Sequence, residues 1–299
     1  MSRSASSACA AAACAALLVA PAAPACSTCK CGDYTLTLLG SEKSFSDRLR
    51  FGTDFIVRSE SAGAGLAKQD TDEWRVLLGA AYSFTQDLSI AVQVPWVHKT
   101  IETPTLAKQE AEGIGDIDVV GRYTLYRSGG GSGRHLAGLR LGVRLPTADE
   151  VKQDGEKLDI DVQPDAGATA PNAGAWYSYF RFPWYATVTA TYFAFSDAHQ
   201  DFEPGNVVTA SALGQYGLTQ RFALQLGVDA REARRNAFSG VDDPDSGGFL
   251  AMGFVGLAAS AFEDLVLNVG VQFPVVDDLN GAQDEDAAFR AGFAYDFEF

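Results

Sequence analysis

The sequence predicts an all-β fold: a single antiparallel transmembrane β-barrel of about twelve strands, with short periplasmic turns and longer acidic external loops. Three observations predict it. Two-residue alternation of apolar and polar side chains recurs in twelve segments between residues 48 and 299. Short and long connections strictly alternate between them. The last segment, AFRAGFAYDFEF, sets Phe289, Phe293, Tyr295, Phe297 and Phe299 on one face and Arg290, Asp296 and Glu298 on the other. If the oily face meets lipid, every backbone group of this last strand needs a partner, and closure onto the first strand supplies it.

Residues 1–25 form a secretory signal, with Arg3, an apolar run over residues 8–20, and Ala23-Pro24-Ala25 as the small-x-small cleavage site. That run is too short to span a bilayer, which takes about 20 apolar residues. Residues 26–47 form a periplasmic segment carrying Cys26, Cys29 and Cys31, and residues 48–299 form the barrel. Residues 48–58 alternate with Leu49, Phe51, Phe55 and Val57 on one face. Residues 73–84 do so with Trp74, Val76, Leu78 and Tyr82, and residues 88–97 with Leu88, Ile90, Val92 and Trp96. Residues 116–126 set Ile117, Val119 and Tyr123 against Asp116, Asp118 and Arg122. Residues 137–147 set Leu139, Leu141 and Val143 against Arg140 and Arg144. Residues 172–180 and 184–195 extend the pattern without a clear facing. Residues 207–218, 222–232, 249–262, 265–275 and the terminal strand complete it. Trp74, Tyr82, Phe84, Trp96, Tyr123 and Tyr216 fall near strand ends, where aromatic girdles belong.

Antiparallel closure sets Asp296 and Glu298 beside Arg50 and Arg48, so a charge-paired seam is expected. A symmetric turn at the glycine-rich RSGGGSGRH sets Asp118 across from Arg144 and Arg122 across from Arg140. A β-sandwich or soluble periplasmic binding barrel is the competing fold, and its outward face would be polar.

The stretches GIGDIDVVGRYTLY and AGLRLGVRLPT resemble outer-membrane β-barrel transporter proteins of the phenol-degradation meta-pathway type. Gly113, Gly115 and Asp116 match that family's G-x-G-D strand start. Leu145, Pro146 and Thr147 match its L-P-T-G ending, with Ala148 in place of glycine. Cys29, Cys31, Gly32, Asp33, Thr35, Leu36 and Thr37 match a segment seen ahead of such barrels. The resemblance covers roughly residues 48–299. It implies a channel or transporter in the outer membrane of a Gram-negative bacterium, with no settled substrate. Outer-membrane proteins also resemble one another in ending on Phe after alternating aromatics, a signal read by the barrel-assembly machinery, and Phe299 matches it.

The lumen face is expected to carry Arg48, Arg50, Arg58, Arg75, Arg122, Arg140, Arg144, Arg231 and Arg290, with Asp54, Asp116, Asp118 and Asp229 beside them. Two readings stand: a self-neutralising structural network, or a charged constriction that selects anionic solutes. Cys26, Cys29 and Cys31 have three readings: a disulfide with one spare thiol, a copper or zinc site, or lipid modification of Cys26. Apart from such a metal, no cofactor is expected. The partners expected are outer-membrane lipid, the assembly machinery and a small solute. The alternative function is a structural or copper-linked barrel whose cysteine segment binds metal or a periplasmic partner.

A formal charge of −15 opposes binding to a phosphate backbone, so no nucleic-acid partner is expected. No enzyme is expected either. His98, His135 and His199 lack a Ser-His motif and read as solvated loop or turn residues. The acidic stretches DGEKLDIDVQPD, VDDPDSGG and AQDEDAA lack full calcium-loop spacing and read as solvated loops.

Overall fold

The computed structural model describes residues 47–65, 68–104, 108–129, 133–262 and 264–298. Cys26, Cys29, Cys31 and Phe299 lie outside the described residues. Twelve strands form one closed antiparallel barrel: β1 Arg48–Ala62, β2 Gln69–Ser83, β3 Leu88–Glu102, β4 Ile117–Ser128, β5 Arg134–Leu145 and β6 Ala170–Arg181 lead. They are followed by β7 Trp184–Phe193, β8 Val207–Gly217, β9 Phe222–Ala233, β10 Gly248–Ser260, β11 Leu265–Leu279 and β12 Ala288–Glu298. Each strand pairs with its sequence neighbours, and β1 also pairs with β12. Closure leaves no free edge, which is what a backbone in lipid requires.

Alternation sorts the side chains. Leu125, Leu139, Leu141, Trp184, Leu226 and Leu257 point outward and are exposed. Arg48, Asp54, Arg58, Glu73, Arg75, Arg140 and Arg144 point inward and are buried. An exposed apolar belt on this scale suits hydrocarbon, not water. This sets aside the sandwich and the soluble barrel, whose outer faces would be polar. No helix among the described residues is long and apolar enough to cross a membrane.

Aromatic side chains ring both ends. On the short-turn side Trp184 meets Tyr216 at 4.7 Å between ring centroids, and Tyr295 meets Phe297 at 4.6 Å. On the long-loop side Trp74 stacks on His98 at 5.2 Å.

The wall also rises beyond the expected strands. β1 continues to Ala62 and β3 to Glu102, so His98 sits within a strand rather than opening a loop. A short strand, Gln109–Ile114, pairs with the upper part of β3 and leads into β4 across Gly115 and Asp116. Its polar alternation, Gln-Glu-Ala-Glu, hides it from any search for apolar periodicity.

The long connections are structured. Residues Phe202–Glu203, Ala237–Phe238 and Val241–Asp242 form a small three-stranded sheet. Segment 146–169 packs its second half tightly. Leu158, Ile160 and residues 162–168 are buried, in clusters with Ile101 and Ala111 and with Phe202. The expectation that DGEKLDIDVQPD is solvated is therefore corrected. Its apolar residues fall at alternate positions (Leu158, Ile160, Val162) and find a core formed by the raised wall and the neighbouring loop.

Candidate functional site

The inner wall is built by register. β1 and β12 pair Arg48 with Glu298 and Arg50 with Asp296. Arg50 grips Asp296 with two bonds of 2.9 Å each, the forked geometry that suits guanidinium and carboxylate. Arg48 lies 3.9 Å from both Asp296 and Asp264. Higher on the same strands, Arg290 donates to Asp54 at 3.3 Å. Across the RSGGGSGRH turn, β4 and β5 pair Asp118 with Arg144 and Arg122 with Arg140. Arg144 donates to Asp118 at 2.8 Å, and the Arg122 guanidinium lies 4.2 Å over the Trp176 ring.

The densest charge cluster surrounds Arg58. Its Nη1 donates to Glu60 at 2.7 Å and to Glu285 at 2.8 Å, and its Nη2 lies 3.6 Å from Glu73. Arg75 donates to Glu73 at 3.1 Å. Three carboxylates and two guanidiniums share a buried site, which holds β1, β2 and segment 283–285 together.

The lumen is not uniformly filled. A chamber of about 180 Å³ lies toward the long-loop end. Arg58, Arg75, Arg140, Arg231 and Arg290 reach it, against Glu73, Asp229 and Glu285. Thr189, Thr191, Thr209 and Ser211 form one side, and Ile56, Leu77, Leu250 and Met252 supply apolar surface. A smaller pocket of about 30 Å³ lies beside it, with Asp229 and Arg290 lining both. Phe254 lines that pocket from inside the wall. A Cβ on Gly270 or Gly256 would collide with its ring, so these two glycines form its seat.

Segment 146–169 is clasped at its neck. Asp116 Oδ1 accepts the Ala148 amide at 3.0 Å, and Oδ2 accepts those of Gly167 and Ala168 at 3.0 and 3.2 Å. Thr147 Oγ1 donates to the Gly115 carbonyl at 3.1 Å and accepts the Ile117 amide at 2.9 Å. A Cβ on Gly115 would stand 3.0 Å from Pro95 and 3.1 Å from Asp165. The G-x-G-D and L-P-T stretches thus meet in space as one clasp. Ala148 serves as well as glycine there, because its backbone amide makes the contact. Farther along the segment, the Lys99 ammonium, 1 % exposed, donates to the Asp161 carbonyl at 3.0 Å. Burial pushes the Asp161 carboxyl up to about 6, with Asp159 adding to the shift and Lys99 opposing it.

The structure therefore brings Arg58, Arg75, Arg140, Arg231 and Arg290 to one chamber. It places Arg48 and Arg50 at the seam, and Asp118, Arg122 and Arg144 on the β4–β5 wall. Asp116 is engaged by the loop clasp. His135 is hydrogen-bonded to the Tyr177 hydroxyl at 2.7 Å, and His199 to the Ala148 carbonyl at 3.1 Å. These two are part of girdle and loop packing, a correction to their reading as solvated. Lys99, Trp176, Thr189 and Thr191 were missed. The last three lie in segments whose mixture of Ala, Thr, Gly and Tyr gives no facing from sequence.

No family model matches the chain, and no curated protein matches it. Solved structures do. An outer-membrane channel from Pseudomonas putida F1 superposes with a TM-score of 0.69 at 14 % identity, covering 87 % of this chain and 100 % of that one. The translocator domain of the autotransporter NalP from Neisseria meningitidis gives 0.48 at 13 % identity, covering 84 % and 88 %. The monoaromatic hydrocarbon channel CymD gives 0.45 at 9 % identity, covering 85 % and 90 %. The first of these supports the outer-membrane barrel fold, which the apolar belt and closed wall require independently.

Proposed function

We propose that the chain is an outer-membrane channel that admits a small solute through the barrel lumen, with segment 146–169 controlling the long-loop end. The observation that carries this reading is the chamber of about 180 Å³ inside the barrel, lined from many strands at once. A barrel serving only as scaffold gains stability by filling such a space, since an unfilled interior forfeits packing contacts. Similarity of fold to a bacterial outer-membrane channel supports the same reading. Arg140 and Arg231, which line the chamber beside its hydroxyls, favour anions over cations.

The test is conductance of the refolded mature protein in a planar bilayer, with the reversal potential read under a salt gradient. Discrete steps with anion preference are the expected result. A folded barrel that passes no current overturns the reading and favours the structural or metal-linked alternative. Replacing Cys29 and Cys31 with Ser then tests that alternative, since unchanged copper binding would sink it.

A further inference from the structure

We infer that the chamber is a binding subsite for a small organic carboxylate, an anion with a compact apolar body. The inference rests on the channel reading and names the solute class that such a channel would concentrate.

The polar half of the subsite is a row set by register. Arg140 stands beside Gly174, Gly174 beside Thr191, Thr191 beside Thr209, and Thr209 beside Arg231. Guanidiniums therefore flank hydroxyls along one lateral line of the wall, and Gly174 interposes no side chain. Thr189 and Thr191 are 4 % and 2 % exposed, yet neither Oγ1 has a hydrogen-bond partner among the described residues. A buried hydroxyl without a partner is costly, and such groups mark places where a partner belongs. Both line the chamber. Their hydroxyl protons can be given to an oxygen anion, and the adjacent guanidiniums supply charge and further donors.

The other half of the subsite is apolar. Leu250 follows Arg231 in the same register, and Met252, Ile56 and Leu77 continue the surface. This pairing separates the candidate ligands. A bare inorganic anion would leave that surface without a partner while giving up its own hydration. A neutral hydrocarbon would leave the hydroxyls unpaired, and a cation would meet the guanidiniums of Arg140 and Arg231 that flank them. A carboxylate on a small ring or short chain satisfies both halves together.

The test uses the full mature barrel in a planar bilayer, with sodium benzoate, benzamide and inorganic phosphate as probes. Benzoate is expected to interrupt the potassium chloride current at a concentration roughly tenfold below that at which either other probe does so, the worth of one charge-assisted hydrogen bond. The double substitution Thr189→Val and Thr191→Val, with folding checked by circular dichroism and heat-modifiable migration, is expected to raise the half-blocking concentration of benzoate roughly tenfold and leave that of benzamide in place. Equal block by benzoate and benzamide overturns the carboxylate assignment, and equal block by phosphate overturns the apolar half. A benzoate block unchanged by the double substitution overturns the assignment of the hydroxyls. If the folded barrel passes no current, the channel reading fails by itself. Calorimetric titration with benzoate then decides the subsite: binding weakened by the double substitution sustains it, and absence of binding overturns it.

Discussion

The two halves of the lumen use the same twelve strands and fill their interiors differently. On the short-turn side Arg48, Arg50 and Asp296 close the β1–β12 seam. Leu136, Gln215, Gln225 and Ala294 are buried around the lower wall. On the long-loop side a chamber remains, and two of its hydroxyls have no hydrogen-bond partner among the described residues. The lower half resembles a domain core, closed over by its own side chains. The upper half resembles a binding site that a solute completes. A row of lumen arginines is therefore not one feature: some close the wall, and others face the chamber.

Arg58 is structural and chamber-lining at once. Arg58→Ala leaves Glu60, Glu73 and Glu285 buried without their shared cation. Stability is expected to fall by about 3–5 kcal/mol, read from urea unfolding of the refolded barrel. A much smaller loss would mean that water reaches these carboxylates and the chamber is wetter than its burial indicates.

The clasp comes next. Asp116→Asn exchanges a carboxylate that accepts three amides for a group with one acceptor oxygen. Segment 146–169 is expected to loosen by about 1–3 kcal/mol, seen as faster amide hydrogen exchange over residues 158–168 and longer open times in the bilayer. Unchanged exchange would show that the apolar clusters alone hold the segment.

Phe254→Ala empties the seat over Gly256 and Gly270. Because Phe254 is only partly buried, the loss is expected at about 1–2 kcal/mol, below that for a fully buried aromatic ring, together with a rise in single-channel conductance. A conductance that does not rise would place the narrowest point elsewhere.

The smallest effect is one of pH. The Asp161 carboxyl titrates near 6 in the packed segment, above its ordinary value of 3.8. Between those values the packed form holds a proton that the loosened form releases. Packing is therefore firmest below about pH 4, weakens as pH rises through the window, and is level above about 6. Hydrogen exchange over residues 158–163, corrected for its intrinsic pH dependence, should follow that course, and Asp161→Asn should weaken it without abolishing it, because burial and Asp165 push the Asp116 carboxyl of the clasp up to about 6 as well.

Much of this was legible in the sequence for a physical reason. Where one face of a strand is apolar and the other charged, a slip of one residue exchanges the faces, so register is strongly specified. The seam pairs Arg50–Asp296 and Arg48–Glu298, and the pairs Asp118–Arg144 and Arg122–Arg140, stand as alternation and turn symmetry required. Where both faces carry small or ambivalent residues, as in β6 and β7, the pattern is silent, and Trp176, Thr189 and Thr191 were hidden with it. The raised wall at Gln109–Ile114 was missed because its alternation lies above the lipid, where polar residues need not turn inward. The clasp could have been found: Gly115, Asp116, Pro146 and Thr147 stood out as motifs, but only the closed fold shows that they touch.

Because both ends of segment 146–169 are tied at one point, its tip is mechanically separate from the wall. Lys152–Gln153 and Glu156–Lys157 form an exposed hairpin whose turn, Asp154-Gly155, takes positive φ at both positions and has open space around the glycine. A peptide spliced into that turn would hang outside the barrel like a flag on a pole. An antibody against it, applied to intact cells, would report which way the barrel faces.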